Sequence, residues 1–189
     1  SNHPLGALDG VALIRFFGHF YSGKIKFLVN DLLMHIKPLA PVFLPINKYG
    51  SQAKESSLQI NNAYESDEQM LIFPAGLCSR LQHGKIKDLE WKKTFIAKAV
   101  QSQRDIIPIY FEGRNSTFFY RFAQIRKCIG LKFNIELIYL PDEMFNSKNK
   151  TFDIYIGKPI PWQTFDKSKS LQEWAQIVKE KVYQIKKNQ

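Results

Sequence analysis

The sequence is poor in cysteine, in acidic residues and in long apolar runs. Two of its 189 residues are cysteines, Cys78 and Cys128, and their spacing matches no metal site. Two such cysteines favour reduced thiols in a cytoplasmic setting over a disulfide framework. No apolar run approaches the ~18 residues of a membrane span, and no signal-peptide pattern is present. The sequence also lacks repeats and low-complexity tracts, and its length predicts one domain over residues 1–189.

The shortage of acidic residues leaves a strong positive charge. The chain has 27 Lys and Arg against 17 Asp and Glu, a formal net charge of +10. This excess implies an acidic partner, which could be nucleic acid, an anionic membrane surface or an acidic carrier protein. Because the lysines are dispersed and no nucleic-acid-recognition signature is present, the sequence disfavours nucleic acid as the partner.

Apolar patterns along the chain alternate between strand and helix. Helical spacing predicts helices starting near residue 7, over 51–64, over 91–103, over 115–130 and from about residue 171. Short apolar runs predict strands at residues 26–29, 42–44, 70–73, 106–111, 135–140 and 152–156. This alternation predicts an α/β fold, a mixed and mostly parallel sheet flanked by helices.

The first ten residues hold a candidate acid–base pair. Pro4 favours an extended backbone at His3, and Gly6 permits a bend before the predicted helix. His3 would lie in the loop and Asp9 in the first helical turns, where the carboxylate could bind one imidazole nitrogen and leave the other as a base. The same residues also have a non-catalytic explanation. His3 could be a surface histidine, and Asp9 could be an aspartate that interacts favourably with the helix N-terminus.

Three loops that follow predicted strands could bind a ligand. In the segment 73–80, Gly76 permits close backbone approach, while Ser79 and Arg80 could bind an anion. The segment 112–116 and the segment 45–50 offer Arg114 and Lys48, although a turn or helix cap accounts for each loop alone. The candidate substrate-binding residues are Asn47, Lys48, Phe73, Pro74, Gly76, Ser79, Arg80, Arg114 and Asn115.

Taken in order, these segments resemble the four blocks of the glycerolipid acyltransferases. The blocks correspond to Asn2-His3 with Asp9, the Asn47-Lys48 loop, the segment 73–80, and Ile107-Pro108-Ile109. This superfamily includes glycerol-3-phosphate and lysophosphatidate acyltransferases. The chain is most similar to a bacterial hemolysin-like branch that includes acyltransferases making amino-acid-containing lipids, and the resemblance spans roughly residues 1–165. A chain that opens directly on such a motif is expected to have lost residues upstream.

The sequence departs from the family pattern at positions that bind glycerol phosphate. Five residues, rather than four, separate His3 from Asp9, as in the hemolysin-like branch. Ala75 stands where the third block usually has glutamate, Arg80 lies two positions later than the usual arginine, and Lys48 replaces the arginine of the second block. These departures make glycerol 3-phosphate a doubtful acceptor and leave the catalytic pair intact.

The resemblance implies transfer of a fatty acyl group from acyl-carrier protein or acyl-coenzyme A to a hydroxyl of a lipid precursor. His3 would be the general base and Asp9 would orient it, while backbone donors near Gly76 could stabilise the oxyanion. Apart from the thioester co-substrate, no cofactor or metal is implied. The implied location is peripheral, on the cytoplasmic face of the inner membrane.

Four alternatives remain at this stage. Cys78 could accept the acyl group covalently, with His3 or His83 as its base, or it could fill a gap in the core. The chain could be an inactive lipid-binding relative. The aromatic and basic segment 115–130 could face a membrane, or it could turn a stripe of Phe118, Phe122, Ile125 and Ile129 to the core. Phe16, Phe17, Phe20 and Tyr21 could line an acyl-chain groove.

Overall fold

The computed structural model describes residues 1–29, 33–34, 36–46 and 51–188, and the chain forms two compact units. The first unit comprises Ser1–Val11 and Pro74–Gln189, and the second comprises Ala12–Phe73. Helix α1, Ala7–Phe20, begins in the first unit and ends in the second. The prediction of one domain over the whole chain stays a prediction.

The second unit contains the parallel sheet. Its strands are β1 (Ile25–Val29), β2 (Phe43–Pro45) and β3 (Gln69–Leu71), in the order β2-β1-β3 with both pairs parallel. Strand β1 is central, and its alternate residues Ile25, Phe27 and Val29 are buried. A 3₁₀ helix, Lys37–Val42, precedes β2, and helix α2, Ser51–Glu65, lies between β2 and β3. These elements confirm the predicted α/β character.

The described strands of the first unit form antiparallel pairs. Strands β4 (Arg80–Gln82) and β5 (Lys85–Lys87) make a hairpin, and β6 (Ile109–Phe111) pairs with β7 (Ile154–Ile156). The hairpin turn consists of His83 and Gly84, both with positive φ, as a two-residue turn of this kind requires. Among the described residues, parallel strand pairing is therefore confined to the three-stranded sheet of the second unit.

Helices α3 (Thr94–Gln101) and α6 (Leu171–Ile185) pack together in the first unit. Ser170 and Glu173 form a capping box that fixes the start of α6 near the predicted residue 171. The largest fully buried side chains of the unit include Trp91, Phe111, Phe119, Ile96, Val178 and Val182. A 3₁₀ turn, Trp162–Thr164, precedes α6, and another, Lys186–Asn188, follows it.

The strand predicted at residues 135–140 is wrong. The segment forms a 3₁₀ helix, Ile135–Tyr139, followed directly by helix α5, Leu140–Phe145. Pro141 lies in the first turn of α5, where its missing N–H costs nothing, and two acidic residues follow in the same turn. The apolar run was misleading here because the polar residue within it, Glu136, is fully buried in an ion-pair cluster.

Helix α4, Thr117–Cys128, turns a different face inward from the predicted core stripe. Its buried residues are Phe119, Tyr120 and Ala123, whereas Phe118 and Ile125 of the predicted stripe are exposed. Phe119 and Tyr120 pack with Cys78, so this side of α4, and not the predicted stripe, faces the core. The core-facing interpretation of the stripe is therefore wrong.

Within the described ranges, none of the helices has the length and apolar character needed to cross a membrane. Of the four aromatic residues proposed for an acyl-chain groove, Phe17 is buried, whereas Phe16 and Phe20 are exposed. The groove stays a prediction.

Candidate active site

The N-terminal segment is fixed by two asparagines. Asn2 is buried, and its Nδ2 donates to the carbonyl of Phe111 (2.9 Å) while its Oδ1 accepts from the Phe111 N–H (2.7 Å). Asn115, also buried, donates from Nδ2 to the carbonyl of Pro4 at 3.4 Å. These contacts tie the residues on both sides of His3 to the end of β6 and to the loop before α4.

His3 and Asp9 meet as the sequence predicts. The imidazole Nδ1 lies 3.0 Å from Asp9 Oδ1 and 3.1 Å from Oδ2. Asp9 is fully buried in the first turn of α1, and it also accepts from the N–H groups of Leu5 (2.9 Å) and Gly10 (2.8 Å). The His3 side chain keeps 16% of its surface exposed. Because Nδ1 faces the carboxylate, Nε2 is the ring nitrogen on the side of the imidazole away from Asp9.

Ser79 and Asp88 hold the backbone of His3 through its carbonyl and its N–H. The Ser79 N–H donates to the His3 carbonyl at 2.7 Å, and Asp88 Oδ1 accepts from the His3 N–H at 3.2 Å. The Ser79 hydroxyl in turn donates to the same Asp88 oxygen at 2.6 Å. Ser79, which the sequence predicts to bind substrate, is buried. In this structure its hydrogen bonds hold the backbone of the candidate base in place.

Asp88 is the centre of a buried network that the sequence did not reveal. Its Oδ2 accepts from Trp91 Nε1 at 2.9 Å, and its backbone N–H donates to the Tyr183 hydroxyl at 2.8 Å. Lys179 Nζ donates to the carbonyl of Asp88 at 2.9 Å. Burial, followed by the nearby Asp88 carboxylate, raises the pKa of Tyr183 well above its ordinary value, so this phenol stays neutral. No local motif marks Asp88, since its partners lie up to 95 residues away.

Arg80 lies in a buried ion-pair cluster. Its guanidinium donates to Glu136 Oε1 at 2.8 Å and to the carbonyl and sulfur of Cys78 at 3.1 and 2.9 Å. Arg126 Nε lies 2.8 Å from the other oxygen of Glu136, a charge contact without hydrogen-bond alignment. The Arg80 charge is thus balanced inside the protein, and its predicted role in binding substrate stays a prediction.

Cys78 has the environment of a core residue. It is buried against Phe119 and Tyr120, and burial raises the pKa of its thiol although the Arg80 charge acts in the opposite direction. Since the thiolate is the nucleophilic form, this environment opposes covalent catalysis. His83, the alternative base, is exposed in the hairpin turn. These observations favour the gap-filling interpretation.

The other predicted binding residues have varied positions. Gly76 has a φ of +69°, and a Cβ there would lie 2.9 Å from Lys92 Nζ, so the lysine covers this glycine. Pro74 is buried, and its carbonyl accepts from the Lys92 N–H at 3.0 Å. Phe73 belongs to the second unit, where its ring packs edge-on against Phe27.

Arg114 is exposed and donates to Thr117 Oγ1 at 3.3 Å. Asn47 and Lys48 lie outside the described residues. The structure therefore brings together His3, Asp9 and Ser79. Asn115 contacts Pro4, the residue that follows His3.

Comparison with known proteins identifies the family. A family model described as Acyltransferase matches residues 1–189. The lyso-glycine lipid O-acyltransferase of Bacteroides thetaiotaomicron is 57% identical over 98% of this chain and 68% of its own length. Its namesake in Phocaeicola vulgatus is 55% identical over 98% of this chain and 66% of its own length. The chain thus spans about two thirds of the length of these relatives.

Among solved structures, the 1-acyl-sn-glycerophosphate (LPA) acyltransferase PlsC of Thermotoga maritima matches 86% of this chain and 57% of its own, with 16% identity and a TM-score of 0.49. The family model covers every residue of the chain, and more than half of the residues aligned with each curated relative are identical. The chain belongs to the acyltransferase family.

Proposed function

We propose that this protein transfers a fatty acyl group from an acyl thioester to a hydroxyl of a lysolipid or amino-acid-lipid precursor. The observation that carries the proposal is the His3–Asp9 pair, with Nδ1 of the ring 3.0 Å from a fully buried carboxylate. Two buried asparagines and the backbone clamp from Ser79 and Asp88 hold the histidine in place. This arrangement is preorganised for general base catalysis.

The proposed reaction needs one base and no protein nucleophile. His3 Nε2 takes the proton of the acceptor hydroxyl as the oxygen attacks the thioester carbonyl, and Asp9 stabilises the resulting imidazolium. When the tetrahedral intermediate collapses, the C–S bond breaks and the imidazolium returns the proton to the leaving thiolate. The products are an ester and a free thiol. Backbone N–H groups near Gly76 are the proposed donors to the oxyanion.

The acceptor we favour is a lysolipid that carries an amino-acid headgroup. The two curated relatives are named lyso-glycine lipid O-acyltransferases. The state of Arg80 supports an acceptor without a phosphate, because this cation is buried and paired with Glu136. Ala75 also offers no polar group where the family usually has a glutamate. A doubly charged phosphate would find fewer partners here than in a site with free arginines.

The proposed co-substrate is acyl-carrier protein or acyl-coenzyme A, with no further cofactor. Both donors are acidic, and the net charge of +10 would attract either of them. A lipid acceptor also places the reaction at a membrane, so peripheral association with the cytoplasmic face of an anionic inner membrane stays part of the proposal.

A panel of donors and acceptors tests the proposed reaction. The chain would be incubated with acyl-carrier protein or acyl-coenzyme A loaded with the same acyl group. The acceptors would be lyso-glycine lipid, lysophosphatidate and glycerol 3-phosphate, with thiol release and mass spectrometry as the readouts. We expect an O-acylated glycine lipid as the main product. A reaction without acceptor corrects for thioester hydrolysis.

The other outcomes are equally informative. A preference for lysophosphatidate or glycerol 3-phosphate would overturn the assigned acceptor and retain the acyl transfer. Binding of lyso-glycine lipid without turnover by either donor would favour the alternative of an inactive lipid-binding relative.

A further inference from the structure

Exposed apolar side chains are concentrated in one part of the first unit. Eight of the seventeen exposed large apolar side chains in the described part of the chain fall between residues 118 and 145. Phe133 is 81% exposed, Ile138 76% and Phe145 73%, so these side chains are almost wholly in solvent. The eight residues, here named the apolar patch, are Phe118, Ile125, Ile129, Leu131, Phe133, Ile135, Ile138 and Phe145. Exposed apolar groups clustered in this way mark an interaction surface.

The patch is built from consecutive elements that contact one another. Phe118, Ile125 and the C-terminal flanking residue Ile129 are spaced i, i+7 and i+11, which places them on one face of α4. Ile135 and Ile138 are spaced i, i+3, which places them on one face of the 3₁₀ helix. Helix α4 packs against this 3₁₀ helix, which in turn packs against α5.

Aromatic and polar contacts join the same elements. The rings of Phe118 and Phe122 both pack edge-on against Tyr139, with centroids 5.1 and 5.5 Å apart. Glu143 of α5 accepts from the N–H of Ser116, the N-cap of α4, at 2.8 Å. These contacts hold together the helices that carry the apolar patch.

The exposed residues of α4 lie away from the side of the helix that packs into the core. Helix α4 already buries Phe119, Tyr120 and Ala123 against the Cys78 cluster, so its core-facing side is occupied. The exposed stripe belongs to the remaining side of the helix.

Exposed basic residues are interleaved with the apolar patch along the chain. Residues 114–150 contain seven basic and three acidic residues, and one of the acids, Glu136, is buried between two arginines. Six of the basic side chains are exposed, and along the chain they alternate with or flank the residues of the apolar patch: Arg114, Arg121, Lys127, Lys132, Lys148 and Lys150. Apolar side chains that enter the acyl region, flanked by cations that meet lipid phosphates, are the chemistry of an interfacial membrane site.

We propose that the apolar patch and its flanking cations dock this unit onto the surface of an anionic phospholipid bilayer. The charge complementarity selects this occupant, because a second copy of the same patch would bring six exposed cations against six others. The inference deepens the proposed function by placing the domain where a lipid acceptor resides, and it rests on that function only for its purpose. Vesicle binding is measured without donor or acceptor, so its result is independent of the acyl-transfer assay.

Matched substitutions of exposed aliphatic residues test the site. Ile125 is 58% exposed on α4, and Leu58 is 60% exposed on the polar helix α2 of the other unit. Ile125→Ser and Leu58→Ser therefore remove similar side chains from similar exposure. Binding would be measured by co-sedimentation with vesicles of phosphatidylcholine mixed with phosphatidylglycerol, and with vesicles of phosphatidylcholine alone.

We expect wild type and Leu58→Ser to bind the anionic vesicles equally, and neither to bind phosphatidylcholine alone strongly. Ile125→Ser should bind about tenfold more weakly, since an inserted aliphatic side chain contributes about that factor. The double variant Lys127→Gln/Lys132→Gln should bind more weakly than wild type at low salt, and this difference should shrink as salt rises, because salt screens the attraction that the two lysines supply.

Three results would overturn the proposal. The first is equal loss of binding in Ile125→Ser and Leu58→Ser. The second is strong binding of wild type to phosphatidylcholine alone. The third is concentration-dependent dimerisation without vesicles that Ile125→Ser abolishes, which would assign the patch to a second copy of the chain.

Discussion

Asp88→Asn removes the charge at the centre of the network beneath His3 while keeping the size of the side chain. The carboxylate accepts three hydrogen bonds, from the His3 N–H and the Ser79 hydroxyl at Oδ1 and from Trp91 Nε1 at Oδ2. An asparagine offers only one acceptor oxygen. If that oxygen keeps the two bonds at Oδ1, the amide nitrogen faces the Trp91 N–H, donor against donor.

The expected cost follows from this mismatch. Trp91 is fully buried, so its N–H finds no water in place of the lost carboxylate. Removing the partner of a buried donor costs about 1–3 kcal/mol, and bonds to charged groups lie toward the upper end. We therefore expect Asp88→Asn to lower the free energy of unfolding by about 2–3 kcal/mol. In a chain of this length that corresponds to a Tm lower by about 4–12 °C.

A double-mutant cycle with Trp91→Phe measures this mechanism. In the Trp91→Phe background no indole N–H remains to be orphaned, so Asp88→Asn should cost at least about 1 kcal/mol less than in the wild type. The space left by Trp91→Phe is the same in both arms and cancels. Urea denaturation followed by far-UV circular dichroism supplies the four free energies. An equal loss in both backgrounds would refute the assignment of the cost to the Trp91 contact.

Three further predictions concern groups around the candidate site. Cys78 should react with iodoacetamide far more slowly than the exposed Cys128, because burial hides its thiol and raises its pKa. Glu136→Gln should cost about 3–5 kcal/mol in unfolding free energy, since it leaves two arginines beside a neutral amide in a buried cluster. Tyr120, whose pKa burial raises from 10.0 to about 12, should make the fold less stable as pH rises through that window. The folded phenol keeps its proton after the unfolded one loses it, so Tyr120→Phe should flatten the alkaline decline.

Each of these has a clear contrary result. Peptide mapping that finds Cys78 alkylated as fast as Cys128 would restore covalent catalysis. A Glu136→Gln protein as stable as wild type would show that the cluster is not a stabilising ion pair. An unchanged alkaline stability profile in Tyr120→Phe would assign the decline to other groups.

The sequence predicts the local elements well where one pattern dominates. The apolar pattern alone predicts strand β1 and the start of α6 near residue 171. The pair His3 and Asp9 was predicted because loop and helix start lie only six residues apart, so local geometry decides their contact.

What the sequence missed depends on contacts over long separations. Residues 135–139 read as a strand from their apolar run, yet they form a 3₁₀ helix. The buried residue of that helix, Glu136, pairs with Arg80 across 56 residues, a contact that the local sequence does not reveal. Asp88 bonds to His3 across 85 residues, and nothing in its own neighbourhood signals that role. The inward face of α4 likewise depends on the position of Cys78, which periodicity cannot supply.

The most direct test of the account is the acyl-transfer rate of His3→Ala beside that of His19→Ala. His3 is the proposed base, whereas His19 is an exposed histidine in the last turn of α1. His3→Ala leaves Asp9 its two backbone donors, so the fold should survive, which circular dichroism would verify. We predict that His19→Ala transfers acyl groups at the wild-type rate and that His3→Ala loses about 10²–10⁴-fold. A folded His3→Ala protein with wild-type turnover would contradict the account.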